Sequence, residues 1–205
     1  MHSKYAVLST LLFGLGLGML LPVAQPAQSV VTQQIMQKTK RHLSPFELHS
    51  VHGTFDQHAL LGQWTIVIFG FTHCPDICPT ALSRLASLET HLTTRSTEGT
   101  LAYVFVSVDP KRDPAPELHK YVRYFSDSFI GVTGHTEQLK LLARSVGAQF
   151  QVTANSGNYQ VAHSTMLYLI GPEGKLRGRF NIGTDLAELA YQLNSFINGA
   201  RRQTT

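Results

Sequence analysis

Hydrophobic residues follow two periods along this chain. Thr65–Phe71 (TIVIFGF) is continuous, apolar and rich in β-branched residues, with Gly62 before it. That predicts a strand buried on both faces. Leu101–Val108 (LAYVFVSV) has the same character and predicts a second buried strand. Between them Leu82, Leu85, Leu88 and Leu92 recur at helical spacing, so Thr80–Leu92 reads as a helix. Pro114 and Pro116 open another helix through about Phe125, because Pro is tolerated in a first turn. Phe129–Val132 reads as a short extended piece, and Thr136–Val146 as a third helix ended by Gly147. Met166–Ile170 and Leu176–Phe180 flank Gly171-Pro172-Glu173-Gly174, which predicts an antiparallel hairpin. Leu186–Ile197 is a last amphipathic helix that ends at Gly199, and Val51-His52-Gly53 breaks a first hairpin. Strands alternating with helices and closing in a hairpin predict an α/β layered sheet.

The N-terminal stretch changes this picture. From Tyr5 to Ala24 there is no charge and almost no polar residue. As a helix it would be about 30 Å long, one hydrocarbon core. A cleaved signal segment and a retained anchor compete. The run exceeds a usual signal core, and Pro22 and Gln25 sit poorly for cleavage after Ala24 or Ala27, so an anchor is preferred. Lys4 precedes the run and Gln25–Gln37 carries no Lys or Arg, which orients the main domain outward. The expectation is a domain anchored to an inner membrane and facing the periplasm, or the equivalent mitochondrial space. Gly14 and Gly18 would suit helix pairing and a homodimer, although a plain anchor is the preferred reading. The organisation expected is 1–24 anchor or signal segment, 25–44 linker, 45–198 folded domain and 199–205 polar tail.

Composition narrows the function. Among 205 residues 43% are hydrophobic and 15% charged, enough for a core in a lightly charged domain. The net charge of +4 is scattered, with no basic stripe, so nucleic acid is not an expected partner. The two cysteines, Cys74 and Cys78, lie within five residues, which points to a redox or metal site rather than a disulfide scaffold. If a helix starts there, positions i and i+4 share one face and two thiolates converge on one ion. A helix N-terminus would also favour the thiolate form. A cysteine pair where the first buried strand meets a helix fits a thioredoxin-like layout.

The whole run Phe69-Gly70-Phe71-Thr72-His73-Cys74-Pro75-Asp76-Ile77-Cys78-Pro79 is more specific than the bare spacing. Together with Val106-Ser107-Val108-Asp109-Pro110-Lys111-Arg112-Asp113 and Tyr159-Gln160-Val161-Ala162-His163-Ser164-Thr165, it resembles the Sco (SenC) family of copper proteins over roughly residues 45–198. The resemblance implies a thioredoxin-like fold and one copper held by Cys74, Cys78 and His163. It also implies a role in delivering copper to the dinuclear centre of cytochrome c oxidase, or in keeping that centre's cysteines reduced. The expected partner is the oxidase copper-site subunit or another copper protein. One position departs from the pattern: Ala162 stands where the family usually has Asp before the histidine. That puts histidine orientation and partner docking in question but removes no ligand.

The donor set agrees with the resemblance. Two soft thiolates and an imidazole suit trigonal Cu(I), and Cu(II) with an added oxygen ligand. Structural zinc normally takes four protein ligands. A thioredoxin-type oxidoreductase would place Pro opposite its cysteines, yet no Pro lies near His163. Three rivals remain: a thiol–disulfide reductase using Cys74 and Cys78 as its redox pair, a copper or redox sensor, and a weaker peroxidase reading from Thr72-x-Cys74. His49, His52 and His58 read as surface histidines, and His73 as pointing away from Cys74. Asp109, Arg112 and Asp113 are either a solvated turn or a loop that helps dock a partner; Asp76 either tunes charge or favours its turn.

Overall fold

The computed structural model describes residues 41–93, 101–155 and 158–201. The expected anchor, its Gly14–Gly18 pair and most of the expected linker lie outside them. Among the described residues no helix is long and apolar enough to cross a membrane.

The first strand, β1 (Arg41–His42), is followed by the hairpin β2 (Glu47–Ser50) and β3 (Gly53–Asp56). A 3-10 turn at Gln57–Leu60 leads to β4 (Trp64–Gly70), α1 (Ile77–Thr93), β5 (Leu101–Ser107) and α2 (Ala115–Arg123). Next come β6 (Phe129–Val132), α3 (Thr136–Val146), β7 (Phe150–Asn155) and β8 (Asn158–His163). The chain closes with β9 (Met166–Ile170), β10 (Lys175–Asn181) and α4 (Leu186–Arg201).

One sheet of six strands organises the domain in the order β1-β10-β9-β4-β5-β6. β4, β5 and β6 are parallel, while β9 and β10 run against them. All seven residues of β4 are buried, as its unbroken apolar run predicts for a central strand covered on both faces. Its side chains alternate between two cores. Ile66 and Ile68 join Leu82, Leu85 and Leu88 of α1, Leu118 of α2 and Leu189 and Leu193 of α4. Val67 and Phe69 join Leu139, Leu142 and Val146 of α3 with Leu48 and Phe55 of the β2–β3 hairpin. The sheet is covered on both faces, so the expected α/β layered arrangement has three layers.

Several boundaries differ from the sequence reading. β1 pairs with β10 inside the segment expected to be linker, and Leu43 behind it is buried. α4 runs through Gly199 to Arg201, because nothing there forces the left-handed turn that ends a helix. Gly147 does make that turn, at φ 74°, where Ala148 N–H donates to the Ala143 carbonyl. α1 begins at Ile77, so Cys74 is not helical. The hairpin β7–β8, a separate two-stranded sheet, has no counterpart in the sequence reading.

This topology gathers three loops at one edge. The parallel strands β4 and β5 end there, and β9, antiparallel to β4, begins there. The cysteine loop, the loop 108–114 and the segment His163–Thr165 therefore meet, at the strand ends where open α/β sheets place ligands.

Candidate metal centre

The cysteine loop leaves β4 at Gly70, whose carbonyl accepts from Val108 N–H at 2.9 Å. A turn follows, with Cys74 N–H donating to the Phe71 carbonyl at 3.3 Å. Cys74 sits in this loop and Cys78 in the first turn of α1, so a bend rather than helical periodicity brings the sulfurs together. Gly70 has to be glycine for space. A Cβ there would lie 2.6 Å from the Phe105 ring and 3.0 Å from Cys78 Sγ.

Cys74, Cys78 and His163 are the only group of three or more potential metal ligands that converge among the described residues. Their ligand atoms all lie within 4.8 Å of one another. Both cysteines are free thiols and buried, Cys78 at 2% exposure and Cys74 at 8%. His163 Nε2 is 3.4 Å from Cys78 Sγ. Its Nδ1 is 3.0 Å from the Ser164 carbonyl, which can only accept, so Nδ1 carries the proton and Nε2 offers its lone pair to the sulfurs. The imidazole also stands edge-on to Phe71, with ring centroids 5.8 Å apart.

Electrostatics at the site favour neutral groups. Burial pushes the Cys78 thiol far above its ordinary value, with neighbouring Cys74 adding to the shift. The expectation that a helix N-terminus holds this thiol as thiolate is thus overturned by desolvation. Burial also lowers His163, so the ring is unprotonated near neutral pH. A metal ion would displace the thiol proton on binding. Two sulfurs and one imidazole nitrogen, converging in a half-enclosed site, fit a soft ion such as Cu(I).

The loop 108–114 supports the site from below. Asp109 and Asp113 are both fully buried, so the solvated-turn reading is wrong. Asp113 accepts from Thr72 N–H at 2.8 Å, from the Thr72 hydroxyl at 2.5 Å and from the Ser107 hydroxyl at 2.5 Å. Buried carboxylates are tolerated when hydrogen-bonded in this way, and here the bonds fix the root of the cysteine loop.

Two clefts flank the β7–β8 hairpin. One, of about 620 Å³, runs from Lys140 and Arg144 of α3 past Gln149 to His163. The other, of about 460 Å³, lies between Phe71, Pro75, Arg112 and Tyr159. Ala162 lines both. Its side chain is exposed and points away from the ligands, consistent with strand alternation, so this substitution alters the rim rather than the ligand set.

Other sequence candidates fall away from the centre. His73 turns outward, 56% exposed, with Nδ1 3.0 Å from the Thr72 hydroxyl and 3.6 Å from Asp113. His52 packs edge-on against His119, so it joins no metal group with His49 and His58 among the described residues. Asp76 is exposed and receives the Thr80 hydroxyl at 3.4 Å, in keeping with a turn-forming role. Gly70, Ser107 and Tyr159 shape the site without having been singled out individually from sequence.

The SCO1/SenC family model matches residues 34–198. The chain belongs to this family. The SCO2-like protein of Rickettsia prowazekii is 32% identical over 194 residues, covering 91% of this chain and 93% of that protein. Arabidopsis thaliana ScoI, solved with copper bound, is 36% identical with a TM-score of 0.70 over 76% of this chain and 98% of that one. Yeast Sco1, also solved with copper bound, is 29% identical with a TM-score of 0.68 over 80% and 95%. The thioredoxin-like Sco fold read from the sequence is therefore the observed one.

Proposed function

We propose that this SCO1/SenC protein is a copper metallochaperone: it binds one copper through Cys74, Cys78 and His163 and passes it on during assembly of the dinuclear copper centre of cytochrome c oxidase. The observation that carries the reading is the convergence of two buried thiols and one imidazole within 4.8 Å beside open clefts. Three ligands hold a soft ion but leave a position through which a partner's thiolate can enter and take it. Copper-bound relatives of the same fold support the choice of metal. In the same reading residues 1–24 anchor the chain in an inner membrane with the domain facing the periplasm, supported by the uncharged run Tyr5–Ala24 after Lys4.

The test is copper counting on the reduced domain. One tightly held copper per chain, lost in Cys74→Ala and in Cys78→Ala, is the expected result. A folded domain with free thiols that retains no copper would sink the proposal.

The proximity of two free thiols, Cys74 being the more exposed, favours a second reading as a thiol–disulfide reductase. The pair would then be oxidised to one disulfide while a partner disulfide takes up two electrons and two protons and becomes two thiols. A reduction potential above that of the partner disulfide would exclude it.

A further inference from the structure

The metal site is assembled from two parts, the cysteine loop and the β7–β8 hairpin. Cys78 belongs to the first turn of α1 and Cys74 to the loop that joins β4 to it, on the main sheet and its helical cover. His163 ends β8, and β8 pairs only with β7. At its root this hairpin is closed by Ser164 N–H donating to the Gln149 carbonyl and Gln149 N–H to the Ser164 hydroxyl, both at 2.9 Å. Something else has to set where its face lies over the cysteine loop.

The geometry points to Tyr159, Asp109 and Arg112 as positioning residues for His163, a latch that holds the β7–β8 hairpin over the cysteine loop. This inference rests on the reading of Cys74, Cys78 and His163 as the copper ligands. Along β8 the residues Tyr159, Val161 and His163 share one face, since strand side chains alternate, and each is less exposed than Gln160 and Ala162 between them. That face meets the domain at three points. His163 meets Cys78, and Val161 packs on both cores. Tyr159, roughly 13 Å along the strand from His163, donates its hydroxyl to Asp109 Oδ1 at 2.5 Å.

Asp109 is fully buried, and its second oxygen accepts from Arg112 Nε at 2.5 Å. The Arg112 guanidinium in turn lies 4.1 Å from the centre of the Tyr159 ring, so the tyrosine is gripped by its face as well as by its hydroxyl. The same guanidinium is 5.7 Å from the centre of the Phe71 ring, and Phe71 stands edge-on to His163. Asp113, four residues on, holds Thr72. One short loop thus grips the cysteine side through Asp113 and the histidine side through Asp109. A fully buried carboxylate with both oxygens engaged makes directional, charge-assisted bonds, which suits it to fixing a strand's position.

The test compares Tyr159→Phe and Asp109→Asn with wild type, and uses Tyr191→Phe, an exposed tyrosine of α4, as the control. Two readouts are taken. The first is amide hydrogen exchange across β8 in protein without metal. The second is the Cu(II) absorption and electron paramagnetic resonance signature, with Cu(I) affinity measured by chelator competition. Tyr159→Phe keeps the ring and the fold, so far-UV circular dichroism should match wild type and the melting temperature should fall by only a few degrees, about 2–4 °C per kcal/mol lost. The β8 amides should exchange about tenfold faster, and Cu(I) affinity should fall by about tenfold, the scale of one lost charge-assisted bond. The Cu(II) signature should move toward that of His163→Ala. Asp109→Asn should move the exchange rates, the Cu(II) signature and the Cu(I) affinity the same way, and the control should move none. Wild-type exchange rates with an unchanged Cu(II) signature in both variants would overturn the latch. A wild-type chain that takes up no copper would overturn the copper reading instead, and the exchange rates would still decide whether Tyr159 holds the hairpin.

Discussion

Cys78 lies in the first turn of a helix packed on the central sheet and is 2% exposed, whereas His163 ends a strand whose sheet has a single other member. The cysteine side is seated in the core: Cys78 shares a buried cluster with Phe105 and Leu82 and lies close against Gly70. The histidine side is half-buried and tied down by a few directed bonds. A carrier of metal gains from that asymmetry. In the proposed role the cysteine sulfurs would dominate the holding of a soft ion, while the imidazole stands on a two-stranded hairpin outside the main sheet.

The sharpest way to break this comparison is to remove one ligand from each side. Cys78→Ala should cost well over the roughly 100-fold that follows loss of a partner outside the ligand set, abolishing stoichiometric Cu(I) retention. His163→Ala should keep one copper per chain with about 10- to 100-fold less affinity. Equal losses measured by chelator competition would show that the two sides do not differ. On the cysteine side, Asp113→Ala strips the partner from Thr72 N–H and two hydroxyls, and should lower stability by about 3 kcal/mol in chemical denaturation. A change within about 0.5 kcal/mol would mean that the buried carboxylate is not an anchor.

A smaller effect tests the packing alone. Gly70→Ala inserts a methyl 2.6 Å from the Phe105 ring and 3.0 Å from Cys78 Sγ, so about 1–3 kcal/mol should be lost and the thiol displaced. Wild-type stability together with wild-type copper affinity would contradict the crowding.

Acidity gives the smallest effect and separates the sides once more. Burial lowers the folded-state pKa of His163 below 6.5, so the unfolded chain takes up a proton that the folded one refuses. Its contribution to stability is present above pH 6.5 and is lost as pH falls through that window. Cys78 has the opposite sign. Its folded-state pKa is raised above 9.0, so its contribution is full below pH 9 and is lost as pH rises beyond. Denaturation curves without metal should show the acid loss diminished in His163→Ala and the alkaline loss diminished in Cys78→Ala. Parallel curves for either variant and wild type would refute the assignment.

Much of this was legible in the sequence because the signals were local. The apolar runs of β4 and β5, the leucine spacing of α1 and the Gly147 stop each report a period or a dihedral that neighbouring residues dictate. The β7–β8 hairpin was missed although Phe150, Val152, Tyr159, Val161 and His163 alternate in period two and Asn155-Ser156-Gly157-Asn158 has turn composition. The signal is weak because each strand offers only two or three apolar positions, and Ala162 on the outer face blurs the alternation. The status of Asp109 and Asp113 was also open, since two acids and an arginine in a short loop read equally well as solvated charge.

By itself the sequence determined the α/β fold class, the order of its main elements and the residue types of the metal site. Those depend on local periodicity and on motifs within a few residues. Only the tertiary structure decided that Cys74 reaches its partner through a bend, that burial keeps Cys78 protonated, and that Tyr159 and Asp109 tie the histidine arm to the cysteine loop. The last two depend on groups tens of residues apart being brought to one sheet edge and shielded from water. Spacing along the chain carries no record of that shielding, yet it is what sets the strength of every charge and hydrogen bond at the site.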